Sequence, residues 1–122
     1  MKKITLRTKN ISLTADLIDT DLSAQISEKA PFSSKVSTWG EEIYFQVPVD
    51  ATSSKGTLDV NIGDVAYWLE RSCLCVFFGQ TPVSVSEKPV PASEVEIVGK
   101  ITEGLELLKD IRSGENITVE TS

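Results

Sequence analysis

Apolar and polar residues alternate along much of this chain with a period of two. From residue 11 to 18, Ile11, Leu13, Ala15 and Leu17 alternate with Ser12, Thr14, Asp16 and Ile18, the pattern of a half-buried strand. Lys3 to Thr8 is a β-rich segment before it, and Lys9-Asn10 between them suits a tight turn because Asn tolerates positive φ. The period changes over Asp19 to Lys29. There Leu22 and Ile26 lie four apart with Ala30 a turn further on, which predicts a helix with a narrow apolar stripe. Thr20 or Asp19 serves as its N-cap, Asp21 suits the first turn, and Pro31 stops it. Two strands follow, Ser33 to Thr38 and Glu42 to Val49, on either side of Trp39-Gly40-Glu41. In the second, Ile43, Phe45 and Val47 share one face while Glu42, Tyr44 and Gln46 share the other. Pro48 marks an edge position or the end of regular pairing.

Ala51 to Gly56 reads as a polar loop. Gly63-Asp64 is a turn with an Asx-type hydrogen bond, leading into Val65-Ala66-Tyr67-Trp68. Cys73 to Phe78 is apolar on both faces, so it must be covered on both, as in a barrel with a helix packed outside it. Gly79 to Ser93 contains Pro82, Pro89 and Pro91 and is the longest irregular stretch, of the kind that is often functional or mobile. Val95 to Ile101 returns to strand. Leu105, Leu108 and Ile111 form a second helical stripe with Gly114 as its cap, and Ile117 to Thr121 closes the chain as a strand. About eight short strands and two helices make a mostly β domain, a sandwich or barrel in preference to a parallel sheet. No repeat, low-complexity tract or linker divides it, so residues 1–122 are expected to form one domain.

Composition narrows the function. The 122 residues carry a net charge of −6, which leaves no basic surplus for displacing counterions from nucleic acid. The start, Met1-Lys2-Lys3, runs into alternating residues instead of an apolar stretch, so no signal peptide is read, and nothing approaches the roughly 20 apolar residues of a membrane helix. The expectation is a cytoplasmic protein without a membrane partner. The chain has no His and only two cysteines, Cys73 and Cys75. In a strand these share a face, and their close spacing strains a mutual disulfide. They read as reduced, buried thiols, and neither a metal nor a cofactor is expected. Without His or a G-x-S-x-G run, triad hydrolysis in its usual form is excluded. Gly99 and Gly56 are isolated and make no phosphate loop.

Two clusters are candidates for recognition. Trp39-Gly40-Glu41-Glu42-x-Tyr44 offers an aromatic plate, a Gly that permits close backbone approach, and carboxylates for a cationic or donor-rich ligand. The structural alternative is a barrel corner with Trp39 over the core and both Glu residues solvated. Glu41 and Glu42 would face opposite ways in an extended chain, so a paired-carboxylate acid–base site would require the Gly40 turn to redirect one of them. Tyr67 and Trp68 also point to opposite faces. One belongs to the core, and the other either packs likewise or lines a groove with Tyr44.

The run Ile97-Val98-Gly99-Lys100-Ile101-Thr102-Glu103-Gly104-Leu105-Glu106-Leu107-Leu108-Lys109-Asp110-Ile111 resembles the late strand–helix unit of cyclophilins. Thr38-Trp39-Gly40-Glu41-Glu42-Ile43-Tyr44-Phe45, Ile62-Gly63-Asp64-Val65-Ala66-Tyr67-Trp68 and Phe77-Phe78-Gly79-Gln80-Thr81-Pro82 are similar, in the same order and spacing, to the small cyclophilin-like family of bacteria and archaea, a domain of unknown function. The resemblance implies a closed eight-stranded β-barrel with two short helices covering its ends. It also implies prolyl isomerisation, but the isomerase set is missing. Cyclophilins grip the prolyl peptide with an Arg in an Arg-x-x-x-x-Phe-x-x-Gln arrangement and place a His late in the site. Here position 76 after Arg71 is Val76, position 12 after Arg7 is Ser12, and the strands around Ser33 to Val47 hold no Arg. The expectation is therefore a cleft whose walls carry no guanidinium, with no catalytic residues. Its ligand would be a peptide or small molecule held by Trp39, Gly40, Glu41, Glu42, Tyr44, Tyr67 and Trp68. A divergent isomerase is the alternative, as is an accessory domain of an amide-hydrolysing complex, the setting of related barrels. A protein partner or a second copy of the chain completes the expected set.

Overall fold

A computed structural model describes residues 2–51 and 55–121. Its strands are β1 (Lys3–Arg7), β2 (Ser12–Leu17), β3 (Phe32–Lys35), β4 (Ser37–Thr38), β5 (Glu42–Gln46), β6 (Asp64–Trp68), β7 (Cys73–Phe77), β8 (Glu96–Lys100) and β9 (Asn116–Thr121). One α-helix, α1 (Asp21–Lys29), and two 3-10 segments, Leu69–Arg71 and Leu105–Asp110, complete the regular structure of the described residues. The strands form one antiparallel sheet in the order β3-β9-β1-β2-β8-β6-β7-β5-β4.

The sheet curls into a nearly closed barrel because its first and last strands are parts of one extended segment. β3 pairs with β9 from Phe32↔Val119 to Lys35↔Asn116. Past Val36 the same chain pairs with β5 as β4, through Ser37↔Tyr44 and Thr38↔Ile43. At the changeover the Val36 N–H donates to the Glu115 carbonyl and the Val36 carbonyl accepts from Gly114 N–H. That interruption is why nine strands are found among the described residues where the sequence predicts eight, the segment over Ser33 to Thr38 being counted as two. Gly114, with φ +96°, serves this β3–β9 join. It does not cap the preceding helical segment, which ends at Ile111 with an N–H bond to Leu108.

The period-two residues fill the interior as the sequence predicts. Leu13, Ala15 and Leu17 of β2 and Ile43 and Phe45 of β5 join one core with Val65, Tyr67, Leu74 and Val76. Leu22 and Ile26 of α1 and Leu108 and Ile111 of the second helical segment belong to the same core. Thr20 is the N-cap, its hydroxyl accepting from Ser23 N–H at 3.2 Å. Gly63 takes φ +96°, and the Asp64 carboxylate reaches back three residues to accept from Asn61 N–H at 2.7 Å. This is a longer return than the Asx turn expected there.

β7 is buried on both faces, as its composition requires. Its outer cover is not a helix. Val60 and Val95 from irregular chain pack with Ala66, Cys75 and Phe77 in a second, smaller core. Thr57 and Val95 exchange both backbone hydrogen bonds, at 2.8 and 3.0 Å, and pin this cover to the barrel.

A pocket on the outer wall

Three neighbouring strands build the outer wall. Register places Tyr44 of β5 beside Cys75 of β7, and Cys75 beside Ala66 of β6. One pleat further along, Gln46, Cys73 and Trp68 form the next row. The long segment from Gly79 folds back over this face, held by its own bonds from Gln80 Nε2 to the Ser86 carbonyl and from Thr81 Oγ1 to the Val90 carbonyl. Between wall and cover lies a cavity of about 230 Å³.

Cys75, Val95 and Glu42 are its most buried lining, at 1%, 2% and 3% exposed. Trp39, Tyr44 and Trp68 supply aromatic sides, and Pro91, Ala92 and Ser93 belong to the cover. Tyr44 and Trp68 meet edge to face, with ring centroids 5.9 Å apart and planes at 77°, a favourable arrangement of ring quadrupoles. The Trp68 indole donates from Nε1 to Ser93 Oγ at 2.6 Å, so its orientation is fixed from the cover side.

Glu42 carries a strongly perturbed carboxyl. Burial raises its carboxyl from 4.5 to about 7, and a hydrogen bond from the Cys75 thiol offsets part of that rise. Its Oε1 is buried without a hydrogen-bond partner among the described residues. An unsatisfied buried acceptor of this kind costs about 1–3 kcal/mol, more if charged. Burial, and after it the Glu42 carboxyl, push the Cys75 thiol well up. Both cysteines are free and buried, and both lie on this outer face, as their spacing predicts.

Arg71 corrects the expectation of walls without a guanidinium. It lines the cavity, with its guanidinium carbon 5.3 Å from the centre of the Trp68 ring, within the range of a cation–π contact. The β6–β7 hairpin brings it there. The Leu69–Arg71 turn ends at Ser72 in the left-handed region, φ 50° and ψ 44°, and so reverses the chain within four residues. Arg71 thereby lies back over the end of the strand it has just left.

The other predicted residues divide. Trp39, Glu42, Tyr44 and Trp68 come together in the cavity. Tyr67 does not: it is fully buried on the inner face, and its hydroxyl donates to the Val49 carbonyl at 2.7 Å. Gly40 and Glu41 are outside the lining and hold the corner in place. Glu41 N–H donates to the Gln80 carbonyl at 2.7 Å and the Glu41 carbonyl accepts from Phe78 N–H at 2.9 Å, while its side chain pairs with Lys109 at 3.8 Å. Neither reading of the two glutamates was complete, since Glu41 is half-exposed and Glu42 is buried. The cavity is also lined by Arg71, Cys75, Pro91, Ala92, Ser93 and Val95, which the sequence pattern does not single out. A strand apolar on both faces signalled that something covers Cys75, but not what. A wider hollow of about 540 Å³ beside α1, lined by Leu17, Ile18 and Thr20 among others, offers less. Its hydroxyls are engaged with one another, Thr20 with Ser23 at 2.6 Å.

Residues 2–120 match the family described as Cyclophilin-like, and the chain belongs to that family. The solution structure of the hypothetical protein AF2241 from Archaeoglobus fulgidus is similar over 99% of this chain and 95% of its own, at 32% identity and a TM-score of 0.86. No curated protein matches the chain. No helix among the described residues is long and apolar enough to cross a membrane.

Proposed function

We propose that this protein is a non-catalytic binding module of the cytoplasm, which receives a small molecule or one residue of a peptide in the outer-wall pocket. The observation that carries the reading is the buried Glu42 Oε1, unpartnered beneath aromatic sides. A binding pocket is mostly apolar with a few convergent polar groups that fix orientation, and Glu42 and Arg71 are such groups. The volume of about 230 Å³ falls below the roughly 300–1,000 Å³ of drug-sized sites. An extended peptide would thus insert a single residue or an end. A fragment screen read by protein NMR tests the proposal. Hits should shift Trp39, Tyr44 and Trp68 and weaken in Trp68→Ala; hits confined to other surfaces would refute it.

A second reading, divergent prolyl isomerisation, gains support from Arg71 at the pocket. A guanidinium there can donate to a prolyl carbonyl or nitrogen as the amide loses conjugation, lowering a barrier of about 18–20 kcal/mol. Exchange spectroscopy on a prolyl tetrapeptide decides it. Catalysed exchange that disappears in Arg71→Gln would establish the isomerase and displace the non-catalytic reading.

A further inference from the structure

Two groups at the pocket lack the partners their chemistry calls for. Glu42 is 3% exposed, and its Oε1 accepts no hydrogen bond among the described residues. Arg71 stacks on Trp68, and no carboxylate among the described residues forms an ion pair with it. Nor do the two satisfy one another. No ion pair joins Arg71 to Glu42 among the described residues, and Glu42 Oε1 has no hydrogen-bond partner. A cation and an acid therefore line one small cavity without closing on each other, and the sides between them are aromatic.

That arrangement discriminates by charge. A simple cation suited to Glu42 meets Arg71, and a simple anion suited to Arg71 meets Glu42. A molecule carrying both signs satisfies both, and charge-assisted hydrogen bonds are the stronger kind. An apolar or aromatic substituent fits the faces of Trp39, Tyr44 and Trp68. The guanidinium is the better anchor for a carboxylate because its planar fork can bind both oxygens.

We propose that the pocket takes a free α-amino acid with an apolar or aromatic side chain, its ammonium on Glu42 and its carboxylate on Arg71. This rests on the reading of the pocket as a binding site and names the ligand class of that site. The test is calorimetry with parallel NMR of the two indole N–H signals at pH 8, where Glu42 is ionised. The probes are L-phenylalanine, L-leucine, N-acetyl-L-phenylalanine, L-phenylalaninamide and the doubly capped N-acetyl-L-phenylalaninamide. At least one free amino acid should bind and shift both indoles. Each single cap should weaken binding about tenfold or more, the loss of one charge-assisted contact. Glu42→Gln should remove the penalty for acetylation, and Arg71→Gln the penalty for amidation. The capped ligands probe the wild-type protein, so the outcome does not depend on either variant folding. If the doubly capped compound binds at the indoles as tightly as phenylalanine, the charge assignment is overturned while the pocket remains a binding site. If no free amino acid moves either indole, the ligand class is overturned, and the fragment screen judges the pocket independently.

Discussion

Glu42 is buried on a strand face beside the Cys75 thiol, and burial disfavours the charged form of its carboxyl. The proton therefore stays on in the folded protein up to about pH 7, against 4.5 for an ordinary glutamate. Between those values the folded state binds more protons than the unfolded chain, so stability falls as pH rises through the window and the loss is complete above the folded value. A shift of this size corresponds to about 3 kcal/mol between pH 4 and pH 8. Denaturant melts of wild type and Glu42→Gln across that range should show this pH-dependent difference between them. Parallel stability profiles would mean that Glu42 titrates normally. Tyr67 gives the complementary case. Its hydroxyl bonds Val49 on the inner face, so Tyr67→Phe should cost about 1 kcal/mol and leave ligand binding unchanged. An effect on affinity in a stably folded Tyr67→Phe protein would return this residue to the site.

At the scale of elements, the pocket depends on two chain reversals. The Trp39–Glu41 corner places Gly40 at φ +60°. A Cβ there would lie 2.8 Å from Pro82 Cδ and 2.9 Å from the Gln80 carbonyl. Gly40→Ala should therefore destabilise the protein by at least about 1–2 kcal/mol from the left-handed backbone alone. It should also push the corner away from the long cover segment and alter the Trp39 indole environment. A thermal melt and a tryptophan spectrum check both effects, and an unchanged variant would show that the corner is not so tightly held. The second reversal, through Ser72, carries Arg71 over Trp68. It explains why the guanidinium was not legible: motif spacing along the chain looks for an Arg on a strand, and this one arrives by a hairpin turn. Strand faces were legible because alternation is a local property, and β2 and β5 display it residue by residue. The burial of Glu42 was not, because in sequence it is one of two adjacent glutamates, and only the cover from Pro91 to Val95 distinguishes them. That cover lacks any period, so its path could not be read from the chain.

Across the whole molecule, one idea organises the fold and the function: a barrel closed by a single segment, residues 32–38, with a second, smaller core on the outside of one wall. The inner core makes the barrel stable. The outer one is incomplete, and where its apolar packing stops, the cavity with Glu42 begins. The chain has only two tryptophans, and both line this cavity, which makes their indole N–H signals a direct report on it. The most direct measurement is a nitrogen–proton NMR titration of the labelled protein with a pooled set of amino acids, short peptides and small polar aromatics. The account predicts saturable movement of both indole signals, with backbone shifts concentrated on β5, β6 and β7. Indoles that stay fixed while ligands bind elsewhere, or that stay fixed with every pool, would contradict it.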